Sequence, residues 1–415
     1  MIKILGDVML DRWIKGTATR MSPEAPIPII LKQDENLNAG GAANVAVNLA
    51  RLKIKVDIWG AMSNDLEGFT LLNLLAYEGM SINIKRDADY TTEKTRIIGQ
   101  GGHHVVRLDR EKFYTGNVDD EFVETLERDD IVVISDYAKG VIKIDTVSKI
   151  LSKTHNIFVD PKQSPLFYTG AFLVKPNMKE YMIWNGDFEV ASAIKFMRKY
   201  DWTWLIITEG SKGVHILHTD GHYHHHKEPS KEVADVSGAG DAFLAVLIYG
   251  INKGYSVKQS CELACYAAAR NVEKQGVVPV SPQDIDRGVV WTNGVFDIIH
   301  TGHLELLKFA KSQGKKLIVG INDDDSVKRL KGADRPINKC EVRKKQLEIL
   351  SWVDSVVVFS EDTPKNILEK IRPDVIVKGG DYTVETTVGN DLAKVIIFPK
   401  LEGYSTSNII NKLVK

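Results

Sequence analysis

The chain has 415 residues, of which 43% are hydrophobic and 26% are charged, as is ordinary for a globular protein in water. This length exceeds one ordinary core and favours two or three domains. The formal net charge of −1 argues against nucleic acid or an anionic membrane as a partner. No apolar run approaches the ~18 residues of a membrane span, and the first residues are too acidic for a signal peptide.

Cysteine usage favours a reducing compartment. The chain has an odd number of cysteines, namely Cys261, Cys265 and Cys340. The first two are four residues apart in a helix-like segment. We expect them to be core thiols, and their spacing does not suggest a structural zinc site. The expected location is the cytoplasm.

Two acidic residues stand near the beginning of the chain. The stretch ILGDVMLDRW predicts a strand with Asp7 and Asp11 at its end, where carboxylates could bind sugar hydroxyls. Residues 24–34 and 95–109 have the pattern of short strands with turns. They predict a small sheet that covers a site.

A first glycine cluster follows in NAGGAANVAVNLARL. It predicts a helix preceded by Gly40 and Gly41, which leave room for a ligand close to the backbone. Asn44 on the first turn of the helix would face that ligand. Beyond it, apolar runs alternate with helical patterns, which predicts an α/β fold with a doubly wound sheet and functional groups at the strand ends. The runs are residues 131–136, 156–161, 172–177 and 204–210.

The stretch HYHHHK (222–227) is rich in histidine. Adjacent residues of a strand alternate between its faces, so we expect an exposed loop or edge strand here rather than a metal cage. No metal-binding residue is predicted.

A second glycine cluster lies in DVSGAGDAF (235–243). Gly238, Ala239 and Gly240 would expose consecutive backbone N–H groups before an apolar helix, which suits an anion. Asp241 at the helix start could accept the proton of a substrate hydroxyl during phosphoryl transfer. The alternative, that Asp241 only caps the helix, stays open. The Walker pattern is absent, so a kinase here would not be a P-loop enzyme.

A domain boundary is indicated by VVPVSPQDIDRG (277–288), after which a new strand begins. We therefore divide the chain into domains 1–286 and 287–415.

The second domain opens with TNGVFDIIHTGH, a predicted strand, tight turn and helix, and another strand follows. His300 and His303 are three residues apart at the helix start, so they share a face with unpaired backbone amides. This arrangement suits a polyphosphate and attack on a nucleotide α-phosphate, with Gly302 leaving room for a phosphate oxygen. The alternative is a helix cap beside a surface histidine.

These motifs resemble two known families. GGAANVAVNLARL and DVSGAGDAF are similar to the signatures of ribokinase-like sugar kinases, and TNGVFDIIHTGH resembles the hallmark of cytidylyltransferase-like nucleotidyltransferases. Their order, with GDVMLDRW, SPEAPIPI, DYAKGV, KPNMKE, INDDDSVKRLKG, VKGGDY and EGYSTSNII, resembles a family of bifunctional heptose 7-phosphate kinase/heptose 1-phosphate adenylyltransferases over nearly the whole chain.

The resemblance implies roles for named residues. Asp241 would be the kinase base and Gly238 to Gly240 its anion hole, while His300 and His303 would hold a triphosphate. The implied ATP-binding residues of the kinase are Asn177, Met178, Lys179 and Glu180, and the implied sugar-binding residues are Asp7, Asp11, Gly40, Gly41, Asn44, Lys139 and Lys175. The implied nucleotidyltransferase contacts are Asn293, Gly294, Phe296, Lys378, Ser405, Thr406 and Ser407, with Asn322, Asp323, Lys331 and Arg335 on loops.

The resemblance also implies the chemistry. ATP would phosphorylate heptose 7-phosphate at C1, a separate phosphatase would remove the 7-phosphate, and the second domain would join the 1-phosphate to AMP for lipopolysaccharide synthesis. Mg²⁺ is expected at both sites, held mostly by phosphate and water. A homodimer is expected, because ribokinase-like kinases often pair through a lid sheet.

The chain departs from the family in three places. The connection between the domains is short, residues 60–68 carry Ser63 and Asn64 where glycine and a small residue are usual, and residues 99–111 differ in the strand expected to line the sugar. The sugar is therefore less certain than the reaction. Two alternatives stay open: a different sugar phosphate or nucleotide, and a protein in which one inactive domain serves as a scaffold or sensor.

Overall fold

The computed structural model describes residues 1–99, 103–228, 237–272, 277–380 and 382–399. The chain divides into two compact units, Met1–Ile285 and Asp286–Lys415. Within the described residues, every helix is too short or too polar to cross a bilayer.

The first unit is built on a nine-stranded sheet, in which a period of two sends alternate side chains to opposite faces. On β1, for example, Ile4 and Leu5 belong to different hydrophobic clusters. The strands of the unit are β1 (Ile2–Gly6), β2 (Val8–Met21), β3 (Pro28–Gly41), β4 (Val56–Ala61), β5 (Ser81–Lys85), β6 (Thr92–Ile98), β7 (His104–Arg110), β8 (Ile131–Ser135), β9 (Ile157–Asp160), β10 (Leu173–Val174), β11 (Trp204–Thr208), β12 (Val214–His218) and β13 (Tyr223–His226). The sheet order is β13-β12-β11-β10-β9-β8-β1-β4-β5.

Helices cover both faces of this sheet, so the doubly wound arrangement is confirmed. Side chains of α1, α2, α7 and α8 join one cluster, and those of α3, α4, α5 and α6 join the other. The helices are α1 (Ala42–Arg51), α2 (Leu66–Tyr77), α3 (Asp119–Glu124), α4 (Thr146–Leu151), α5 (Met178–Asn185), α6 (Val190–Lys199), α7 (Ala239–Asn252), α8 (Val257–Asn271) and α9 (Pro282–Ile285). Cys261 and Cys265 are free and buried on α8.

A separate four-stranded sheet, which we call the lid sheet, has the order β3-β2-β6-β7. The small covering sheet predicted from the sequence is therefore present, but its strands differ from the prediction. β3 continues through Gly40 and Gly41, and β2 contains Asp11. The expectation that Asp11 ends a strand is wrong, because the chain turns after β1 and pairs again with β3 from Val8 onward.

The second unit contains a five-stranded parallel sheet of order β16-β15-β14-β17-β18. Its strands are β14 (Val289–Gly294), β15 (Lys316–Asn322), β16 (Ser355–Phe359), β17 (Val375–Gly379) and β18 (Lys394–Phe398). Its helices are α10 (Thr301–Ser312), α11 (Asp324–Lys331), α12 (Cys340–Glu348) and α13 (Lys365–Ile371). The predicted strand–turn–helix–strand order of β14, α10 and β15 is confirmed, and two hydrophobic clusters enclose the sheet.

A fully buried arginine ties three segments of this unit together. The guanidinium of Arg343 donates to the Val295 carbonyl at 2.9 Å, to the Asn338 carbonyl at 3.0 Å and to the Asp324 carboxylate at 2.8 Å. A buried charge costs free energy unless it is paired and hydrogen-bonded. Here each of the three guanidinium nitrogens of Arg343 has an acceptor. The loop after β14 is thus fixed against the starts of α11 and α12.

Candidate active sites

The first candidate site is centred on Asp241, in the first turn of α7. Its side chain is buried, with Oδ2 accepting a hydrogen bond from Asn44 Nδ2 at 2.8 Å and Oδ1 accepting one from the Tyr137 hydroxyl at 2.6 Å. Burial raises the pKa of the Asp241 carboxyl above its ordinary value, and the two hydrogen bonds lower it in part. Asp241 thus meets partners from two distant segments, which a cap does not require.

Asn44 is itself held in one orientation. It lies on α1, where Asn48, one turn later, donates from Nδ2 to Asn44 Oδ1 at 3.0 Å. Asn48 Oδ1 accepts from the backbone N–H of Val280 at 2.7 Å. Because the Asn44 oxygen already has a donor, its amide nitrogen is directed at Asp241.

The start of α7 leaves space for an anion. Gly238 has a φ of +76°, and a Cβ built there would lie 3.1 Å from Asn44 Nδ2. Around Gly240 nothing lies within 4 Å of such an atom. The first N–H groups of a helix have no acceptor within the helix. Gly238, Ala239 and Gly240 therefore form an open, amide-lined approach to Asp241.

The lid sheet brings Asp11 and Gly40 together. They lie on paired strands, and a Cβ at Gly40 would be 2.5 Å from Asp11 Oδ2, so only glycine fits there without displacing the carboxylate. Asp11 forms an ion pair with Arg96 of β6 at 2.6 Å. Gly41 has a φ of +59°, which favours glycine, and begins the turn into α1.

Asp7 has a different environment from the expected sugar contact. Its buried carboxylate accepts backbone N–H groups of Tyr137, Lys139 and Val141 at 2.8, 3.0 and 3.2 Å. Burial raises the pKa of Asp7, and these hydrogen bonds oppose the change. The residue shapes the loop after β8 that presents Tyr137 to Asp241, and of its four lone pairs only one, on Oδ1, is left for a sugar hydroxyl.

The two lysines expected to hold the existing sugar phosphate both pair with carboxylates. Lys139 Nζ lies 2.6 Å from Glu111, and Lys175 Nζ, which is buried, lies 3.0 Å from Asp160. Burial raises the pKa of Asp160 to about 7, and the neighbouring Asp241 carboxylate adds to this increase. Lys175 therefore belongs to a buried charge cluster with Asp160 and Asp241.

A cavity of about 220 Å³ opens beside the glycines of α7. Most of its lining has no local signal in the sequence, because the residues come from β11, the turn after it, and α8, which are far apart in the chain. The lining residues include Thr208, Gly210, Gly213, Ala239, Gly240, Phe243, Cys265, Ala268 and Val272.

The stretch Asn177–Glu180 adjoins this cavity through Thr208, which forms a parallel bridge with Asn177. Asn177 and Glu180 form the capping box of α5, and Glu180 also pairs with Lys162 at 3.0 Å. Met178 packs on the core, and Lys179 is exposed. The predicted nucleotide segment thus lies near the cavity, but the described contacts of Asn177 and Glu180 are local.

The second candidate site contains His300 and His303 at the start of α10. Their rings stack with centroids 3.8 Å apart, and the ring of Phe296 lies 5.0 Å from that of His303. The Nδ1 atoms of both histidines are buried, with no hydrogen-bond partner among the described residues. Burial lowers the pKa of both histidines, that of His303 to about 4, to which the neighbouring His300 contributes. Both Nδ1 atoms are therefore available to a ligand.

Lys378 lies on β17, next to β14. Its buried Nζ donates to the Asn293 carbonyl at 3.3 Å and lies 4.6 Å from the centre of the Tyr382 ring. Burial lowers the pKa of Lys378 to about 8. Gly294 faces the Phe296 ring, 3.2 Å from a built Cβ, and Phe296 is part of the core. Phe296 is thus better described as the support of His303 than as a ligand contact.

Two residues expected on loops occupy regular elements. Asn322 is the last residue of β15 and donates to Ser326 Oγ at 3.0 Å, and Lys331 is the exposed last residue of α11. Asp323 is the single residue between these elements and caps α11 by accepting the Ser326 N–H at 2.8 Å. The loop assignment is therefore wrong for Asn322 and Lys331.

Arg335 does lie outside the helices and strands, and it pairs with Asp297 at 3.1 Å. Asp297 also accepts the backbone N–H groups of Ile337 and Asn338 at 2.9 and 2.8 Å, and no sequence signal identified it. Ser405, Thr406 and Ser407 lie outside the described residues.

Comparison with known proteins agrees with this division into two sites. The model of the pfkB family carbohydrate kinases matches residues 2–284, and the cytidylyltransferase-like model matches residues 291–412. Bifunctional protein HldE of Coxiella burnetii is 34% identical over 461 residues, covering 100% of this chain and 97% of that protein. Bifunctional protein HldE of Pasteurella multocida is 36% identical over 464 residues, covering 99% and 96%.

Solved structures resemble the kinase fold. Phosphofructokinase-2 from Escherichia coli in complex with potassium has a TM-score of 0.59 at 18% identity, covering 69% of this chain and 96% of that one. Ribokinase from Thermotoga maritima has a TM-score of 0.56 at 17% identity, covering 69% and 97%. At these identities the similarity shows the fold alone, which confirms the ribokinase-like prediction.

Proposed function

The chain belongs to the pfkB carbohydrate kinase family and, over its whole length, to the family of bifunctional HldE proteins, and on this premise we propose two successive reactions. The first unit phosphorylates C1 of heptose 7-phosphate with ATP. The second unit transfers AMP from ATP to heptose 1-phosphate and gives ADP-heptose and pyrophosphate. The observation that carries this proposal is the presence, in separate units, of a buried carboxylate beside a glycine-rich helix start and a stacked histidine pair with unused nitrogens.

In the kinase reaction, Asp241 accepts the proton of the C1 hydroxyl as its oxygen forms a bond to the γ-phosphorus of ATP. The bond from that phosphorus to the bridging oxygen breaks, and ADP leaves. The N–H groups at the start of α7 stabilise the charge on the transferring phosphoryl group. Asn44 and Tyr137 hold Asp241 in the orientation that this proton transfer needs.

Mg²⁺ is part of the proposal for this unit. Burial raises the pKa of Asp160 and the carboxylates of Asp241 and Glu180 add to this increase, while Lys175 opposes it. The oxygens of Asp160 and Glu180 are of the type that suits Mg²⁺, but both side chains pair with lysines, so ATP phosphates and water would supply most of the ligands. The ion would neutralise charge on those phosphates.

In the second reaction, an oxygen of the sugar 1-phosphate attacks the α-phosphorus of ATP, and pyrophosphate leaves. His300 and His303 supply buried hydrogen-bonding groups for the triphosphate, and Lys378 supplies a positive charge. By resemblance to the family, Ser405, Thr406 and Ser407 are proposed as further hydrogen-bond donors to the triphosphate. Mg²⁺ is proposed here too, bound mainly by ATP phosphates and water.

The remaining features of the proposal come from the family. A separate phosphatase acts between the two steps, both reactions occur in the cytoplasm and supply a lipopolysaccharide precursor, and the protein is a homodimer. Action on a different sugar phosphate is the alternative, and one observation favours it. Lys139 and Lys175 are already paired with carboxylates, so neither is committed to the 7-phosphate.

The test is to mix the purified protein with MgATP and heptose 7-phosphate, with and without a phosphatase specific for the 7-phosphate, and to follow the products by mass spectrometry. A bisphosphate without phosphatase, and ADP-heptose with it, would support both reactions. Turnover of ATP only with another sugar phosphate would favour the alternative. Product from one reaction only, with its intermediates supplied, would indicate that one unit is inactive.

A further inference from the structure

The histidine-rich edge of the first unit brings together groups that the proposed reactions do not use. β13 is the edge strand of the nine-stranded sheet and pairs with β12 in antiparallel register. Residues two apart on a strand share a face, so His224 and His226 point to the same side. Glu262 of α8 meets them there, with its Oε1 3.5 Å from His224 Nε2. One ligand atom from each of the three residues lies within 4.8 Å of the others.

A second carboxylate lies beside this cluster. Glu228 follows β13 and lies 3.3 Å from His226 Nε2 through its Oε2, although it is not one of the three residues whose ligand atoms lie within 4.8 Å of one another. The cluster thus offers two imidazole nitrogens and one carboxylate, with a second carboxylate next to it. Two histidines with carboxylate oxygens are ligands typical of Zn²⁺ and related ions, whereas Mg²⁺ prefers oxygen ligands alone.

The surroundings favour a metal ion over an isolated ion pair. The side chains of His224, His226, Glu228 and Glu262 are 24% to 38% exposed, so the cluster is partly shielded from water. Lys258 approaches Glu262 no closer than 3.9 Å, and its side chain is half exposed, which leaves it free to turn away. Cys265, three residues further along α8, is not among the residues whose ligand atoms lie within 4.8 Å of one another.

We propose that His224, His226, Glu262 and Glu228 bind a divalent transition-metal ion, of which Zn²⁺ is the representative. The alternation that argued against a metal cage for adjacent histidines is what places the first two of these on one face. Because Glu228 also lines the cavity beside α7, the ion would lie at the edge of that cavity. It would join the edge strand to α8.

A second group at the tip of the same hairpin provides a control. His218, Asp220 and His222 also lie within reach of one another. There, however, each oxygen of Asp220 is engaged by one histidine at 2.8 Å, and His222 is 86% exposed. We expect this group to bind metal weakly, so a variant that removes its histidines matches the loss of two imidazoles without touching the proposed site.

The experiment uses protein without a histidine tag, stripped of metal and titrated with Co²⁺, whose visible absorption reports its ligands, followed by displacement with Zn²⁺. Wild type and H218Q/H222Q should show one tight site per chain. H224Q/H226Q should lose affinity by more than the roughly 10- to 100-fold typical of an outer-shell partner, and E262Q should weaken binding as well. Unchanged melting temperatures without metal, and unchanged kinase activity, would show that the variants fold.

Three outcomes would overturn the proposal: tight binding that survives H224Q/H226Q, tight binding that is lost in H218Q/H222Q, or an E262Q variant that binds as wild type does. The last would mean that the hairpin alone captures the ion. A rise in melting temperature with Zn²⁺, seen in wild type and absent in H224Q/H226Q, would support binding to the folded state.

Discussion

The hydroxyl of Tyr137 donates a hydrogen bond of 2.6 Å to Oδ1 of Asp241, across 104 positions of the chain. Asn44 donates to the other oxygen, so each carboxylate oxygen has one lone pair left for a substrate proton. The loop that carries Tyr137 is in turn held by Asp7. The proposed base is thus positioned by Tyr137 and Asn44 directly, and by Asp7 through the loop that carries Tyr137.

Replacing Tyr137 with phenylalanine should make the proposed base harder to ionise. The hydrogen bond from the hydroxyl lowers the pKa of Asp241, so its loss raises that pKa and shifts the acidic limb of kcat/KM for sugar phosphorylation to higher pH. We expect an activity loss of about 10-fold on the acidic limb, where ionisation of Asp241 limits the rate, and a smaller loss at higher pH. The phenylalanine keeps the ring that Lys94 approaches at 4.8 Å. A uniform loss without a shifted profile would contradict this positioning role.

Asp241→Asn should abolish sugar phosphorylation while adenylyl transfer continues. The amide keeps the shape of the side chain but cannot accept the proton, and general-base catalysis contributes about 10²- to 10⁴-fold. Both reactions are measured on the same preparation, with heptose 7-phosphate and heptose 1-phosphate as separate substrates. Loss of adenylyl transfer in a variant with an unchanged melting temperature would show that the two sites are not independent.

His303→Ala should have the opposite effect. Removal of one buried donor to the triphosphate should reduce adenylyl transfer by about 10²- to 10³-fold. His303→Asn, which retains a hydrogen-bonding nitrogen, should recover part of this loss. The kinase reaction of the same protein is the internal control, and its loss would argue against the assignment of the histidine pair to the second reaction.

Adenylyl transfer should weaken in alkaline solution. Burial lowers the pKa of Lys378 to about 8, so the ammonium is charged below that pH and loses its proton above it. kcat/KM for ATP, which reports the free enzyme, should therefore fall as pH rises through about 8. In Lys378→Arg the side chain stays charged, and this fall should disappear. A wild-type profile that is flat up to pH 9 would exclude a role for the Lys378 charge.

The parts of these sites that could be predicted are those in which neighbours in sequence are neighbours in space. His300 and His303 are three residues apart on one helix, and the glycines beside Asp241 directly precede it. The doubly wound sheet could also be predicted from the sequence, because alternating apolar runs and helical patterns indicate both the elements and their order.

The remainder depends on contacts between distant segments. Asp7 resembles a free acid in the sequence, but both of its carboxylate oxygens accept hydrogen bonds from amides 130 to 134 positions later. The sequence does not show that Lys139 and Lys175 are paired, because their partners come from other segments. Glu111 follows β7 and contacts Lys139, and Asp160 ends β9 and contacts Lys175. The cavity beside α7 draws its walls from β11 and α8, and no local pattern marks such a set.

The buried guanidinium of Arg343 has an evolutionary consequence. Lysine at this position could reach one of its three acceptors but would strand the other two, and an apolar residue would strand all of them. Substitutions here should be purged as efficiently as those that remove the histidines, although the residue lies apart from the proposed chemistry. Invariance at Arg343 among homologues would therefore be a signature of architecture, and ranking positions by invariance alone would mistake it for a catalytic group.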